Sequence, residues 1–266
     1  IFERALDPDR PMPSGRSLWE DHQEWFGLPA SGTRSKALAQ RTQFNVVDSG
    51  LQDFLAAGLL DQLNGPWREA DIIYVWGFDT WGEGCRCPGC QALGNGTDQI
   101  LHLFSCLRTR LDAARANGRL DHDVRLGMCA YEGTASLDAP TGAVPANLLR
   151  SGDYAVFYPI NRCYDHAFAD RACAINARYH QALAAQLATA GQLPFCVGEY
   201  WNVSKFDDLP LVFTQRISED LRTYQQLGVT GMTYMHVPLL AWAVRTATQG
   251  LYAQLAWAPS SDTHAW

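Results

Sequence analysis

The sequence predicts an α/β protein of the (β/α)8 TIM-barrel class, and three observations carry that prediction. Five short runs rich in β-branched and aromatic residues follow residue 70, and each leads through a loop into a helical pattern. The runs are nearly continuous in apolar residues, as parallel strands covered on both faces are. Carboxylates and aromatic rings gather at the C-terminal ends of these runs, where a barrel places its chemistry. No GxGxxG or Walker-type glycine loop follows any of them, which argues against a doubly wound nucleotide-binding sheet.

Taken in order, residues 1–48 read as an irregular lead-in, and 49–63 as a helix with Leu51, Phe54, Leu55 and Leu59 on one face. The expected strands are DIIYVWGFD (71–79), VRLGMCAYEG (124–133), DYAVFYPIN (153–161), PFCVGEYWNV (194–203) and GVTGMTYMHV (228–237). Between the first two, Ile100, Leu103, Phe104, Leu107, Leu111 and Ala114 form one face of a helix over 97–117, with Thr97 as N-cap and Gly118 beyond its end. Tyr179, Leu183 and Leu187 mark a helix over 176–190 that Gly191 ends. Ile217, Leu221 and Tyr224 mark another over 214–227, stopped by Gly228. A last helix, 239–257, is apolar on most sides.

Residues 49–262 are thus β/α repeats within one domain, 1–266. Five strands do not close an eight-stranded barrel, and the chain opens at Ile1 without Met or a leader pattern. The expectation is a piece of a longer parent polypeptide, an incomplete barrel whose first strands precede residue 1.

Composition narrows the partners. Hydrophobic residues make up 47% and charged residues 18% of the chain, which describes a globular protein rather than a disordered one. A net charge of −7 with scattered arginines leaves no basic stripe, so no nucleic-acid partner is expected. No apolar run reaches the roughly 20 residues of a membrane helix.

The strand ends supply the candidate site. Asp79, Trp81 and Glu83 follow the first strand, with Trp76 inside it; Tyr131 and Glu132 end the second. Tyr158, Asn161 and Arg162 end the third, Glu199, Tyr200 and Trp201 the fourth, and His236 the fifth. Carboxylates among tryptophans and tyrosines suit a sugar site, because aromatic faces stack on the apolar side of pyranose rings and paired acids carry glycosidic chemistry. Asp79, Glu83 and Glu199 are the catalytic candidates, and the other residues are substrate-binding candidates. Each has a plainer alternative. Glu199 is costly in a strand unless it is used or is paired with an arginine. Asp79 could cap a turn, and Glu83 and Glu132 could be loop charges. Arg162 could meet a substrate carboxylate or Asp165, and His236 could be a satisfied histidine at a strand end.

The cysteines leave three readings open. Cys85, Cys87 and Cys90 form C-x-C-x-x-C without a later CxxC, so a closed four-ligand zinc site lacks an obvious fourth member. Cys163 and Cys173, which flank His166, could complete it, could form disulfides, or could be reduced packing thiols. Cys106, Cys129 and Cys196 fall in helix or strand patterns and read as buried thiols. No cofactor is expected beyond a structural zinc at these cysteines.

Four blocks, HQEWFGL (22–28), FDTWGEGCRCPGC (78–90), RCYDHAFADRACAIN (162–176) and LYAQLAWAPSSD (251–262), resemble the bacterial domain-of-unknown-function 4838 family across about residues 20 to 262. That family is similar to α-glucuronidase-type (β/α)8 glycoside hydrolases. The resemblance implies a barrel cut at both ends, a secreted or periplasmic location and a role in polysaccharide degradation; it assigns no acid or base. The expected function is therefore a glycoside hydrolase acting on a polysaccharide or oligosaccharide by two-carboxylate chemistry. The alternatives are a non-catalytic glycan-binding barrel module and a structural segment of a larger extracellular assembly.

Overall fold

A computed structural model describes residues 2–191, 193–201, 213–235, 246–258 and 261. The chain is α/β, with five strands in one sheet in the order β1-β2-β3-β4-β5. These are β1 (Ile72–Val75), β2 (Arg125–Tyr131), β3 (Tyr154–Tyr158), β4 (Phe195–Glu199) and β5 (Gly231–Tyr234). Each lies inside the run expected for it. The order follows the sequence without reversal, as successive βα units of a barrel do, whereas a doubly wound sheet reverses at a switch point. The β1–β2 pair is parallel, from Ile72 opposite Arg125 to Val75 opposite Met128. The β4–β5 pair is also parallel, from Cys196 opposite Gly231 to Glu199 opposite Tyr234.

Two compact units divide the chain, 1–155 with 189–194, and 156–188 with 195–266. The first begins with two short helices, α1 (Phe2–Ala5) and α2 (Leu18–His22), then 3-10 turns at Gln23–Trp25 and Lys36–Leu38. The lead-in is therefore mostly irregular, yet Phe44 and Val46 within it are fully buried. Helix α3 (Ser49–Leu63) follows, capped by Asp48, whose carboxylate accepts from Leu51 N–H at 2.9 Å. The short α4 (Pro88–Leu93) begins inside the cysteine motif, and α5 (Gly96–Ala116) follows closely after it.

The cap of α5 is Asn95 rather than Thr97. Asn95 accepts from Thr97 and Asp98 N–H, and Asp98 reaches back to Asn95 N–H at 2.8 Å, a reciprocal box that a hydroxyl two residues on cannot form. Thr97 donates its hydroxyl to Asp138 O instead. Leu103, Phe104, Leu107 and Leu111 of α5 meet a core that includes Leu55 and Leu59 of α3 and Leu126 and Met128 of β2. Arg108 projects from the buried face of α5 and holds the enclosed Asp153, which also accepts from Leu126 N–H at 2.8 Å. Helix α6 (Ala146–Ser151) ends at Gly152, with φ 73°.

In the second unit α7 (Ala174–Ala190), α8 (Thr214–Leu227) and α9 (Thr246–Trp257) carry the helical layer. Helix α8 matches the expected span and ends on the left-handed Gly228. The expected residues 239–245 of the last helix lie outside the described residues. No described helix is long and apolar enough to cross a membrane.

Candidate functional site

In the first unit the loop after β1 and the turn after β2 meet through backbone. Thr80 and Trp81 N–H both donate to Gly133 O, at 2.7 and 3.1 Å. A β-carbon at Gly133 would stand 2.0 Å from Asp79 Oδ1 and 2.3 Å from the Tyr131 ring, so only glycine lets the carboxylate sit there. Asp79 remains exposed at its outer side. Partial burial, with the charge of Glu3 second, holds its carboxyl above the ordinary value of 3.8.

Around it stands an aromatic group. Trp81 is 53% exposed, and its centroid lies 5.8 Å from that of Tyr131 at 67°. Trp76 meets the same tyrosine from 5.7 Å at 63°. Tyr131 is itself buried. Burial raises its phenol, and the charges of Asp79, Cys129 and Glu132 add to the rise. Glu132 is half-buried and opens the 3-10 turn Glu132–Thr134. Glu83 is also half-buried and accepts from the Thr42 hydroxyl at 3.1 Å.

Non-glycine residues in the left-handed region are Trp81 (φ 58°), Ala135 (φ 59°) and Trp201 (φ 32°) among the described residues. Each lies in the segment that follows a strand: Trp81 after β1, Ala135 after β2 and Trp201 after β4. Such strain persists where surrounding structure over-determines it, and it concentrates at functional sites.

In the second unit the strand ends form an ion cluster closed to solvent. Arg162 Nε lies 2.8 Å from Glu199 Oε1, and its Nη2 meets Asp220 Oδ2; all three side chains are fully buried. Tyr224 donates its hydroxyl to Glu199 Oε1, and Tyr200 N–H donates to Oε2 at 3.0 Å. Phe168 N–H donates to Asp220 Oδ1 at 2.8 Å. The guanidinium lies over the Tyr164 ring at 4.4 Å. Two carboxylates share one cation here. Burial pushes Glu199 up, and Asp220 adds to that against the pull of Arg162.

This arrangement gives Glu199 the paired role rather than a reachable catalytic one, because both oxygens are engaged and neither meets solvent. It also corrects Arg162, which meets neither a solvent-facing substrate position nor Asp165. Tyr158, Tyr200 and Trp201 belong to the core: they are 3%, 4% and 0% exposed. Tyr158 fits against Gly198, where a β-carbon would stand 2.0 Å from its ring, and Trp201 stacks at 5.9 Å on Tyr234. Asn161 is exposed, with its N–H donating to Tyr179 Oη at 3.2 Å. His236 lies outside the described residues.

Sequence reasoning missed three residues. Asp220 and Tyr224 complete the cluster; Asp220 occupies the stripe of Ile217, Leu221 and Tyr224 on α8, and a carboxylate on an apolar stripe is a legible signal for a buried partner. Gln43 left no such signal. Its buried amide donates to Phe78 O and accepts from Phe78 N–H at 2.9 Å, a strand-like double contact made by a side chain.

The cysteines form two trios, one in each unit. The ligand atoms of Cys85, Cys87 and Cys90 lie within 4.8 Å of one another, as do those of Cys163, His166 and Cys173. All eight cysteines are free thiols. In the first trio the Cys85 thiol is drawn down to about 5, chiefly by hydrogen bonding from Cys90, whose own thiol is pushed up in return. In the second, Cys163 Sγ lies 3.2 Å from His166 Nδ1. The fully buried Asn176 holds that loop by donating to the Cys163, His166 and Ala167 carbonyls.

No family model, no curated protein and no solved structure matches the chain.

Proposed function

We propose that this chain is part of a (β/α)8 glycoside hydrolase that cleaves O-glycosyl bonds of a polysaccharide or oligosaccharide. The supporting observation is Asp79, a solvent-reaching carboxyl with a raised pKa beside the Trp81, Tyr131 and Trp76 rings. A carboxylic acid that keeps its proton at higher pH can protonate a leaving oxygen, and tryptophan faces can stack on a pyranose. Glu132, which shares Tyr131 with Asp79, is the second carboxylate of this reading, as base or nucleophile. Trp81 and Trp76, which both pack against Tyr131, are the sugar platform. The sequential strand order supports a barrel completed by strands outside this chain. The family resemblance supports a secreted or periplasmic setting.

Hydrolysis of a glycan panel by the wild type, Asp79→Asn and Glu132→Gln tests the reading. Loss of about 10²–10⁴-fold in rate is expected for each variant. Full activity in Asp79→Asn would sink it.

One observation favours a second reading, a glycan-binding barrel without turnover: Glu199, an acid at the end of β4, is enclosed and bonded to Arg162. Binding of the same glycans with no released sugar, unchanged in Asp79→Asn, would select that reading.

A further inference from the structure

The cysteine trio in the loop after β1 takes no part in the proposed reaction, yet it is arranged as a ligand set. Thiolate–zinc bonds are about 2.3 Å, so two sulfurs of a tetrahedral centre lie about 3.8 Å apart. The three sulfurs of Cys85, Cys87 and Cys90 fall within 4.8 Å of one another, and those of Cys85 and Cys90 belong to fully buried residues. Leu28 N–H donates to Cys85 Sγ and Cys90 N–H donates to Cys87 Sγ, each at 3.4 Å. Backbone N–H groups aimed at sulfur stabilise the thiolate, which is the form that binds a metal.

Local sequence produces this geometry. Cys87 is the N-cap of α4 and Pro88 its first residue, so the chain turns at once and brings Cys90 back toward Cys87. Gly89 permits the turn against the lead-in, since a β-carbon there would stand 2.8 Å from Val47 Cγ2.

A fourth donor is in place. Asn45 Oδ1 lies 3.3 Å from Cys87 Sγ and 3.4 Å from Cys90 Sγ. An oxygen–sulfur edge of a tetrahedral zinc centre is about 3.6 Å. The amide cannot turn away freely, because its Nδ2 donates to Glu24 O at 3.1 Å and leaves the oxygen facing the sulfurs. The trio thus has an oxygen at the vertex that the sequence motif lacks.

We propose that Cys85, Cys87, Cys90 and the Asn45 carbonyl form a structural site for a thiophilic divalent cation of the zinc class. The metal would fasten the loop that carries Asp79 and Trp81 to the lead-in, where Arg86 N–H already donates to Leu28 O at 2.8 Å. The site does not depend on the glycan reading.

Elemental analysis and zinc titration of the reduced full chain test it, with cobalt(II) as the spectroscopic probe. The expected result is a zinc equivalent lost in the Cys87→Ser/Cys90→Ser double variant and kept in Cys163→Ser/Cys173→Ser, which interrupts the other trio. Cobalt should give a sulfur-to-metal charge-transfer band that the first double variant loses. Asn45→Ala is expected to weaken zinc about 10-fold or more. Should the serine variants fail to fold, alkylation of the wild type followed by peptide mass mapping replaces them. Cys85, Cys87 and Cys90 should then be protected with zinc and react after chelation. No zinc on the reduced protein, zinc that follows Cys163 and Cys173 only, or equal alkylation with and without zinc each overturns the proposal.

Discussion

Arg162 and Glu199 form an ion pair at 2.8 Å with both side chains closed to solvent, and Asp220 meets the same guanidinium from α8. A buried charge left without its partner is far more costly than the pair itself is favourable. The cluster therefore behaves as one element, and its members respond differently to substitution.

Arg162→Met strands two buried carboxylates, and about 3–5 kcal/mol of stability should be lost. Glu199→Gln should cost less, about 1–3 kcal/mol. Asp220 still pairs with Arg162, while the new amide turns its NH2 toward the Tyr200 N–H. Burial and Asp220 already push the Glu199 carboxyl upward, and glutamine has the shape of its protonated form. The sign with pH follows. A carboxyl raised by folding contributes stability below its unfolded value near 4.5, and that contribution is lost as pH rises through the folded value. Denaturant unfolding from pH 4 upward should show a decline in the wild type that Glu199→Gln flattens. Equal losses in the two variants would contradict the assignment.

Asp79 gives the proposed reaction its pH dependence. Its carboxyl is raised above 3.8, first by partial burial and then by Glu3. A general acid with a raised pKa keeps its proton further up the scale, so the alkaline limb of kcat/KM should lie above that of an unperturbed aspartate. Glu3→Gln should move that limb back toward acid pH without abolishing turnover. A limb unmoved by Glu3→Gln would mean that another group sets it. Gly133→Ala should remove activity along with about 1–3 kcal/mol of stability, since its β-carbon overlaps Asp79 and Tyr131.

At the start of α5 the sign reverses. Burial pushes Asp98 up, but the Thr141 hydroxyl and the Thr141, Gly142 and Asn95 N–H groups more than offset it, and the net shift is downward. A carboxyl lowered by folding stabilises above its unfolded value and loses that contribution as pH falls through the folded one. Asp98→Asn should therefore remove part of the acid sensitivity of the wild type. Asn95→Ala should cost about 1 kcal/mol at any pH at which the protein is folded. Unfolding curves at pH 3 and 7 separate the two effects.

The strands and long helices were legible because burial imposes periodicity. β2 is buried at every position after Arg125, and α5 repeats its apolar residues at helical spacing. The strand-end residues were legible as a set but not in their roles. Asp79, Trp81 and Glu199 carry the same sequence signal, a polar or aromatic group after an apolar run. Only partners distant in sequence separate them: Gly133 beside Asp79, and Asp220 and Tyr224 around Glu199. Asn45 was illegible as the proposed fourth donor because C-x-C-x-x-C points to nitrogen and sulfur ligands, and an amide in an irregular segment has no pattern to reveal it.

Gln43 tests how far the lead-in governs the site. Its amide satisfies both the N–H and the C=O of the buried Phe78, one residue before Asp79, and also reaches the Thr80 hydroxyl at 3.2 Å. Leucine at this position fills similar volume but leaves two backbone groups without partners, each at a cost of about 1–3 kcal/mol. Gln43→Leu should therefore lower the unfolding midpoint in denaturant. It should also reduce kcat/KM on any glycan the wild type cleaves, because the Asp79 loop loses its anchor. Glutamate should rescue little: it can accept from Phe78 N–H, but it turns a carboxylate oxygen toward the Phe78 carbonyl where the amide had donated. A Gln43→Leu protein within about 0.5 kcal/mol of wild type, the range of ordinary surface changes, would show that the loop holds itself without the lead-in.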